Sequence, residues 1–173
     1  MSGSLRNLLT VLWALWHYQS AAPQSRTVAR FFVTPFDTGL TTLKSDKYLQ
    51  LAESAQIDYL IKTGLIREML AKGYSFVNAS QLVRFVKPVR FFSRVTVDSQ
   101  LVYADDKCAY FCHTFLVKQI KHAKVFVKMK FKKGPVTIAP AELLGAFSGA
   151  KPLFVQRWDA ALVAASTEAD DKC

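Results

Sequence analysis

From Val89 to Lys133 the chain contains neither glycine nor proline. Within that stretch apolar and polar residues alternate, and the alternation is cleanest near its end. Val125, Val127, Met129 and Phe131 share one parity, while Lys124, Lys128, Lys130 and Lys132 share the other. Successive side chains of a strand point to opposite faces, so this pattern predicts a strand with one apolar and one cationic face. The same reasoning, with β-branched and aromatic enrichment, predicts strands near 76–87, 93–104, 107–118 and 123–133. Pro88, Asp105-Asp106 and Gln119 to His122 supply the turns, and Gly134-Pro135 ends the sheet. Long antiparallel strands follow.

Upstream the periodicity changes. Val28 to Val33 is a short β-prone run closed by Pro35, and Phe36 to Leu43 reads as loop. Ser45 is a good helix N-cap and Asp46 suits the positive end of the helix dipole. Leu49, Ala52, Ala55, Gln56, Tyr59 and Leu60 then recur at helical spacing. Gly64 interrupts the helix, and a second piece runs from Leu65 to Ala71. Pro140 opens a short helix, and the residues after Gly149 read as tail, frayed from Glu168 onward. One strand, one long helix and four strands make a two-layer α+β domain whose sheet wraps around the helix.

This divides the chain into an N-terminal helix and linker (1–27), a folded domain (28–145) and a C-terminal tail (146–173). Leu5, Leu8, Leu9, Leu12, Leu15 and Trp16 follow i, i+3, i+4 spacing, which fits a retained amphipathic helix or, alternatively, a cleaved secretory signal. A retained helix would dock on the domain, on a partner subunit, or at a membrane interface through residues 5–18.

Composition narrows the classes. With 173 residues, 51% of them hydrophobic, the chain is one folded domain rather than a disordered or multidomain protein. Cys108, Cys112 and Cys173 have no metal-ligand spacing. On a strand, Cys108 and Cys112 would sit roughly 13 Å apart, too far to bridge. Both fit small buried residues in a reducing, cytoplasmic compartment, with peripheral membrane contact as an added option. No glycine-rich phosphate loop, zinc spacing or Ser-His-Asp signature occurs, so neither metal nor cofactor is expected.

Several short motifs keep a common order: Val33-Thr34-Pro35-Phe36-Asp37-Thr38, Thr42-Leu43-Lys44-Ser45, Tyr48, Glu53, Arg84 to Val89, Asp105-Asp106-Lys107, His113-Thr114-Phe115, and Pro140 to Leu144. Over residues 28–145 the chain resembles the hotdog-fold acyl-CoA thioesterases, specifically the 4-hydroxybenzoyl-CoA thioesterase-like branch with its thioesterase-superfamily-member-6 relatives. The resemblance implies a curved antiparallel sheet wrapped around a long central helix. It further implies a carboxylate in the loop before that helix, acting on a thioester carbonyl polarised by main-chain N–H groups. Counting back from Tyr48 places that carboxylate on Thr38, and Asp37 takes the role if the loop carries one extra residue. Thr42, Lys44 and Ser45 stand where the family has His and two Asn.

The candidate catalytic residues are therefore Asp37 and Glu53. Asp46 reads as a first-turn helix acid, and Glu53 reads equally as a solvated or ion-paired residue. His113 reads as a structural histidine. Thr38, Thr42, Ser45, Tyr48, Leu51 and Ala55 would bind substrate, the last three along an acyl chain, with Lys128 and Lys130 at its nucleotide end. The lysines from Lys118 to Lys133 also fit an edge strand guarded against aggregation. Nucleic acid is not expected, because the aromatics alternate to the opposite face. The partners implied are acyl-CoA or acyl carrier protein as substrate and a second copy of the chain, as a homodimer or dimer of dimers. Three functions stay open: thioester hydrolysis, acyl-thioester or lipid binding without cleavage, and peripheral membrane association.

Overall fold

The computed structural model describes residue 22 and residues 24–170. The N-terminal amphipathic helix expected at 5–18 lies outside the described residues.

Strand β1 (Thr27–Phe32) runs through a 3-10 turn (Pro35–Asp37) and a tight loop into helix α1 (Ser45–Lys62). Helix α2 (Leu65–Lys72) follows, then β2 (Ser75–Phe85), β3 (Arg94–Ala104), β4 (Ala109–Val117), β5 (Ile120–Lys133) and β6 (Val136–Ile138). Helices α3 (Ala141–Leu144) and α4 (Leu153–Asp170) close the chain. The strands form one antiparallel sheet in the order β1-β3-β4-β5-β2, with β6 folded back on β5. The early strand Thr27–Phe32 pairs with β3, so it and β2 form the two edges.

Helix α1 forms because Tyr48, Leu51, Ala52, Ala55 and Tyr59 share one stripe, and that stripe packs on the concave face of the sheet. The opposing residues are those the alternation predicted: Val125, Val127, Met129 and Phe131 are all fully buried. Tyr59 meets Phe111 edge-on at 5.3 Å, and Tyr48 lies 5.4 Å from Phe115. The structure thus has the expected curved sheet around a central helix.

Three details differ from the sequence reading. Lys44, not Ser45, is the N-cap of α1. Its N–H donates to the Asp37 carbonyl at 3.1 Å and Gly39 N–H donates to Thr42, so the loop closes on itself and holds Lys44 as the last extended residue. Gly134-Pro135 does not end the sheet, because β6 pairs Val136 to Ile138 with Lys133 to Phe131. And the residues read as tail contain the 18-residue α4. Val155 and Trp158 of α4 pack against Cys108 and Tyr110 on the convex face, so that face is partly covered rather than wholly solvated.

Candidate active site

The first turn of α1 opens onto a groove of 310 Å³ lined by Leu43, Ser45, Tyr48, Phe85, Val86, Lys87 and Pro88. Two pieces of backbone build it. The loop before α1 is pinned to the β2–β3 connection by Leu43 N–H on the Val89 carbonyl (2.8 Å), and β2 ends with Phe85 against the Tyr48 ring at 5.1 Å. Burial pushes the Tyr48 phenol above its ordinary pKa, opposed by a hydrogen bond with the Val89 main chain. Lys44 makes no side-chain cap hydrogen bond. The first N–H groups of a helix have no intrahelical partner, so this end of α1 presents main-chain donors and a partial positive charge beside an apolar wall.

Asp37 is 1% exposed. Its Oδ2 accepts from Thr34 N–H at 3.0 Å and from Thr34 Oγ1 at 2.7 Å, the reciprocal capping of the 3-10 turn. Thr38 is buried next to it and donates to the Pro35 carbonyl. Thr42 bridges to Arg90. The groove therefore gathers Ser45 and Tyr48 from the candidate set, with Asp37, Thr38 and Thr42 in the adjoining loop.

The other candidates lie apart. Leu51 and Ala55 are buried in the core between α1 and the sheet. Glu53 is exposed on α1, outside its buried stripe. Lys128 and Lys130 stand on the convex face, as their parity with Lys124 requires, and Lys128 pairs with Asp159 of α4 at 2.6 Å. There they line a second cavity of 470 Å³ under α4, with Asp105, Cys108, Tyr110 and Asp159. In that cavity Asp159 is bound by Lys128, Lys151 and the Tyr110 hydroxyl at 2.6–2.7 Å. Burial pushes its carboxyl up, but these donors outweigh it and hold the group below its ordinary range. Burial pushes both the Cys108 and Cys112 thiols up, so neither is an activated thiolate.

Sequence reasoning missed Leu43 and the Phe85 to Pro88 wall of the groove. The signal was present in the apolar pair Phe85-Val86 just before Lys87-Pro88. It also missed Asp58, which is buried and raised by desolvation, with Lys62 at 2.8 Å opposing the shift. Lys62 donates in addition to the Val28 carbonyl, so this pair fastens α1 to β1. His113 is fully buried, with Nδ1 2.8 Å from Ser99 Oγ, a structural placement. Among the described residues no cluster of three metal-ligating side chains occurs, and no helix is long and apolar enough to cross a membrane.

Comparison with known proteins places this geometry. The family model of the thioesterase-like superfamily matches residues 41–146. Solved structures share the fold at low identity. A probable thioesterase from Bartonella henselae is 16% identical, with TM-score 0.61 over 66% of this chain and 98% of its own. A DHNA-CoA thioesterase from Staphylococcus aureus is 12% identical, with TM-score 0.60 over 86% and 95%. A second S. aureus protein, solved in complex with CoA, is 12% identical, with TM-score 0.62 over 78% and 94%. No curated protein sequence matches the chain.

Proposed function

Since the chain belongs to the thioesterase-like superfamily, we propose that it takes an acyl thioester into the groove at the start of α1 and hydrolyses it to free acid and thiol. The observation that carries this reading is the 18-residue helix beginning, without a side-chain cap, at the mouth of an apolar groove. An acyl chain lies along Tyr48, Phe85 and Val86, and the thioester oxygen takes the main-chain N–H groups of the first turn, where negative charge develops. Asp37, the sole acid between Thr27 and Ser45, supplies the carboxylate. It accepts a proton from water as the water oxygen bonds to the carbonyl carbon. The C–S bond then breaks, and the proton passes to the departing sulfur. The neighbour holding CoA favours a coenzyme A thioester over an acyl carrier protein.

A homodimer belongs to the same reading. Strand β2 is an open edge of 11 residues with neither Gly nor Pro, and Val77, Leu82 and Phe85 stand exposed along it. Such an edge is a template for pairing, and a second β2 satisfies it.

Binding without cleavage is the second reading. It is favoured by the near-complete burial of Asp37 and by the Thr34 donors already on its Oδ2. Thiol release from a chain-length series of acyl-CoAs, alongside direct binding of the same compounds, separates the two. Hydrolysis predicts saturable release that falls about 10²-fold or more in Asp37→Asn. Binding with no release establishes the second reading, and absence of both removes the acyl-thioester proposal.

A further inference from the structure

Around the end of β1 the chain exposes apolar side chains that folding does not use. Leu40 is 100% exposed at the tip of the loop before α1, Phe36 is 77% exposed on the 3-10 turn, and Phe32 and Phe92 are each more than half exposed. Hydrogen bonds bring them together. Phe92 N–H donates to the Val33 carbonyl and Phe91 N–H to the Thr41 carbonyl. The Phe92 ring lies 6.0 Å from Phe32 and 5.1 Å from Phe91. Phe92 also holds φ at +59°, a conformation costly for a bulky side chain. A strained aromatic kept on the surface is not explained by core packing.

The charge around these tips is mainly of one sign. Arg30, Lys44, Lys87, Arg90 and Arg94 are all exposed, against one exposed acid, Asp46 on the first turn of α1, and the buried Asp37. We propose that this face docks on an anionic lipid bilayer, the tips at Phe36, Leu40, Phe91 and Phe92 entering the headgroup–acyl boundary while the arginines and lysines hold acidic headgroups. The charge selects lipid over a protein partner. The exposed apolar side chains have the cations Arg30, Arg90 and Arg94 as close chain neighbours, whereas a protein interface buries a charge-depleted centre. The patch lies by β1, at the sheet edge opposite β2, so self-association through β2 leaves it open. Segment 86–93 joins it to the groove, which puts the groove mouth next to the membrane surface. The proposal is independent of hydrolysis.

The test is co-sedimentation of the full chain with vesicles of phosphatidylcholine alone and of phosphatidylcholine with about 30% phosphatidylserine. Binding to the anionic vesicles is expected, with at least a roughly tenfold loss in Leu40→Ser/Phe92→Asn and in Arg90→Gln/Arg94→Gln. Asn tolerates positive φ, so the first variant keeps its loop, and an unchanged melting temperature verifies this for both. An environment-sensitive dye on Leu40→Cys, in a Cys173→Ser background, is expected to shift to the blue only when anionic vesicles are added. No binding by the wild-type chain overturns the proposal, as does binding undiminished in both variants, which assigns it to another segment. A dye already shielded without vesicles also overturns it, because the tips are then covered by the chain itself or by a second copy.

Discussion

The two faces of the sheet each carry a helix and a cavity, and they use them in opposite ways. On the concave face α1 lies in a bed of Val, Met and Phe, and its open first turn meets a groove whose one charged wall residue is Lys87. On the convex face α4 is fastened by charges that satisfy one another: Asp159 with Lys128 and Lys151, and Tyr110 with Asp105 and Asp159. The larger cavity is thus the stapled one, with Asp105 and Asp159 already matched to donors. The smaller one retains first-turn main-chain donors that no Lys44 side chain caps, and those are what a ligand requires.

Neighbouring residues of β4 divide the comparison sharply. Phe111 is fully buried against Tyr59, and Tyr110 faces α4. Phe111→Ala is expected to lose about 3–5 kcal/mol in denaturant unfolding, through lost transfer energy and a cavity. Tyr110→Phe removes only the hydroxyl and is expected to lose about 1–2 kcal/mol. Equal losses would mean that α4 is as integral to the core as α1.

Ser45→Pro probes the groove without touching the packing on either face, because Ser45 is exposed. Proline fits the first position of a helix, and Lys44 before it already holds the extended ψ of 150° that proline favours. The substitution deletes one main-chain N–H at the groove. Turnover is expected to fall about 10²- to 10³-fold, the usual effect of losing a donor to a developing oxyanion, while the melting temperature hardly moves. Unchanged turnover would place the thioester oxygen elsewhere.

Much of the concave side was legible in the sequence because it is written in periodicity. Alternation in β3 to β5 and the stripe from Tyr48 to Tyr59 each repeat often enough to fix a face. Even the location of Lys128 and Lys130 was implicit, since residues of the parity opposite to Val127 cannot face α1. The convex layer was harder to see. The contacts of α4 rest on Val155, Trp158 and Leu162, spaced at i, i+3 and i+7 in an alanine-rich run, a stripe too thin to stand out. Asp37 was visible as an acid in the right loop. Its partner Thr34 three residues earlier is a capping signal that went unread, and it is why the side chain is held inward.

Acid separates the faces by onset. Burial of His113 lowers its pKa to about 3 from an ordinary 6.5. The unfolded chain takes up a proton below about pH 6.5 that the folded chain refuses, so stability falls with acid by about 1.4 kcal/mol per pH unit from there. Urea unfolding from pH 7 to 4 is expected to show this slope, and His113→Gln to flatten it whatever its effect at pH 7. A slope unaltered by the substitution would mean that another buried group takes up the proton.

The convex clamp responds later and less. Burial raises Asp159, but Lys128, Lys151 and Tyr110 depress it further than burial lifts it, so its folded pKa lies below the ordinary 3.8. A depressed carboxylate stabilises above its unfolded pKa and loses that contribution as pH falls through the folded one. The clamp is therefore intact through the whole range in which His113 is already acting, and it opens only below about pH 3.8. Asp159→Asn is expected to cost about 1–2 kcal/mol at pH 7, moderated because Lys128 and Lys151 keep contact with water, and to shrink the lowest-pH limb of the stability curve, to which Asp105, also held below its ordinary range, still contributes. Acyl-thioester binding should not change, since the cluster and the groove lie on opposite faces. A variant that lost binding together with stability would show that α4 supports the groove through the sheet, and that the two faces act as one unit.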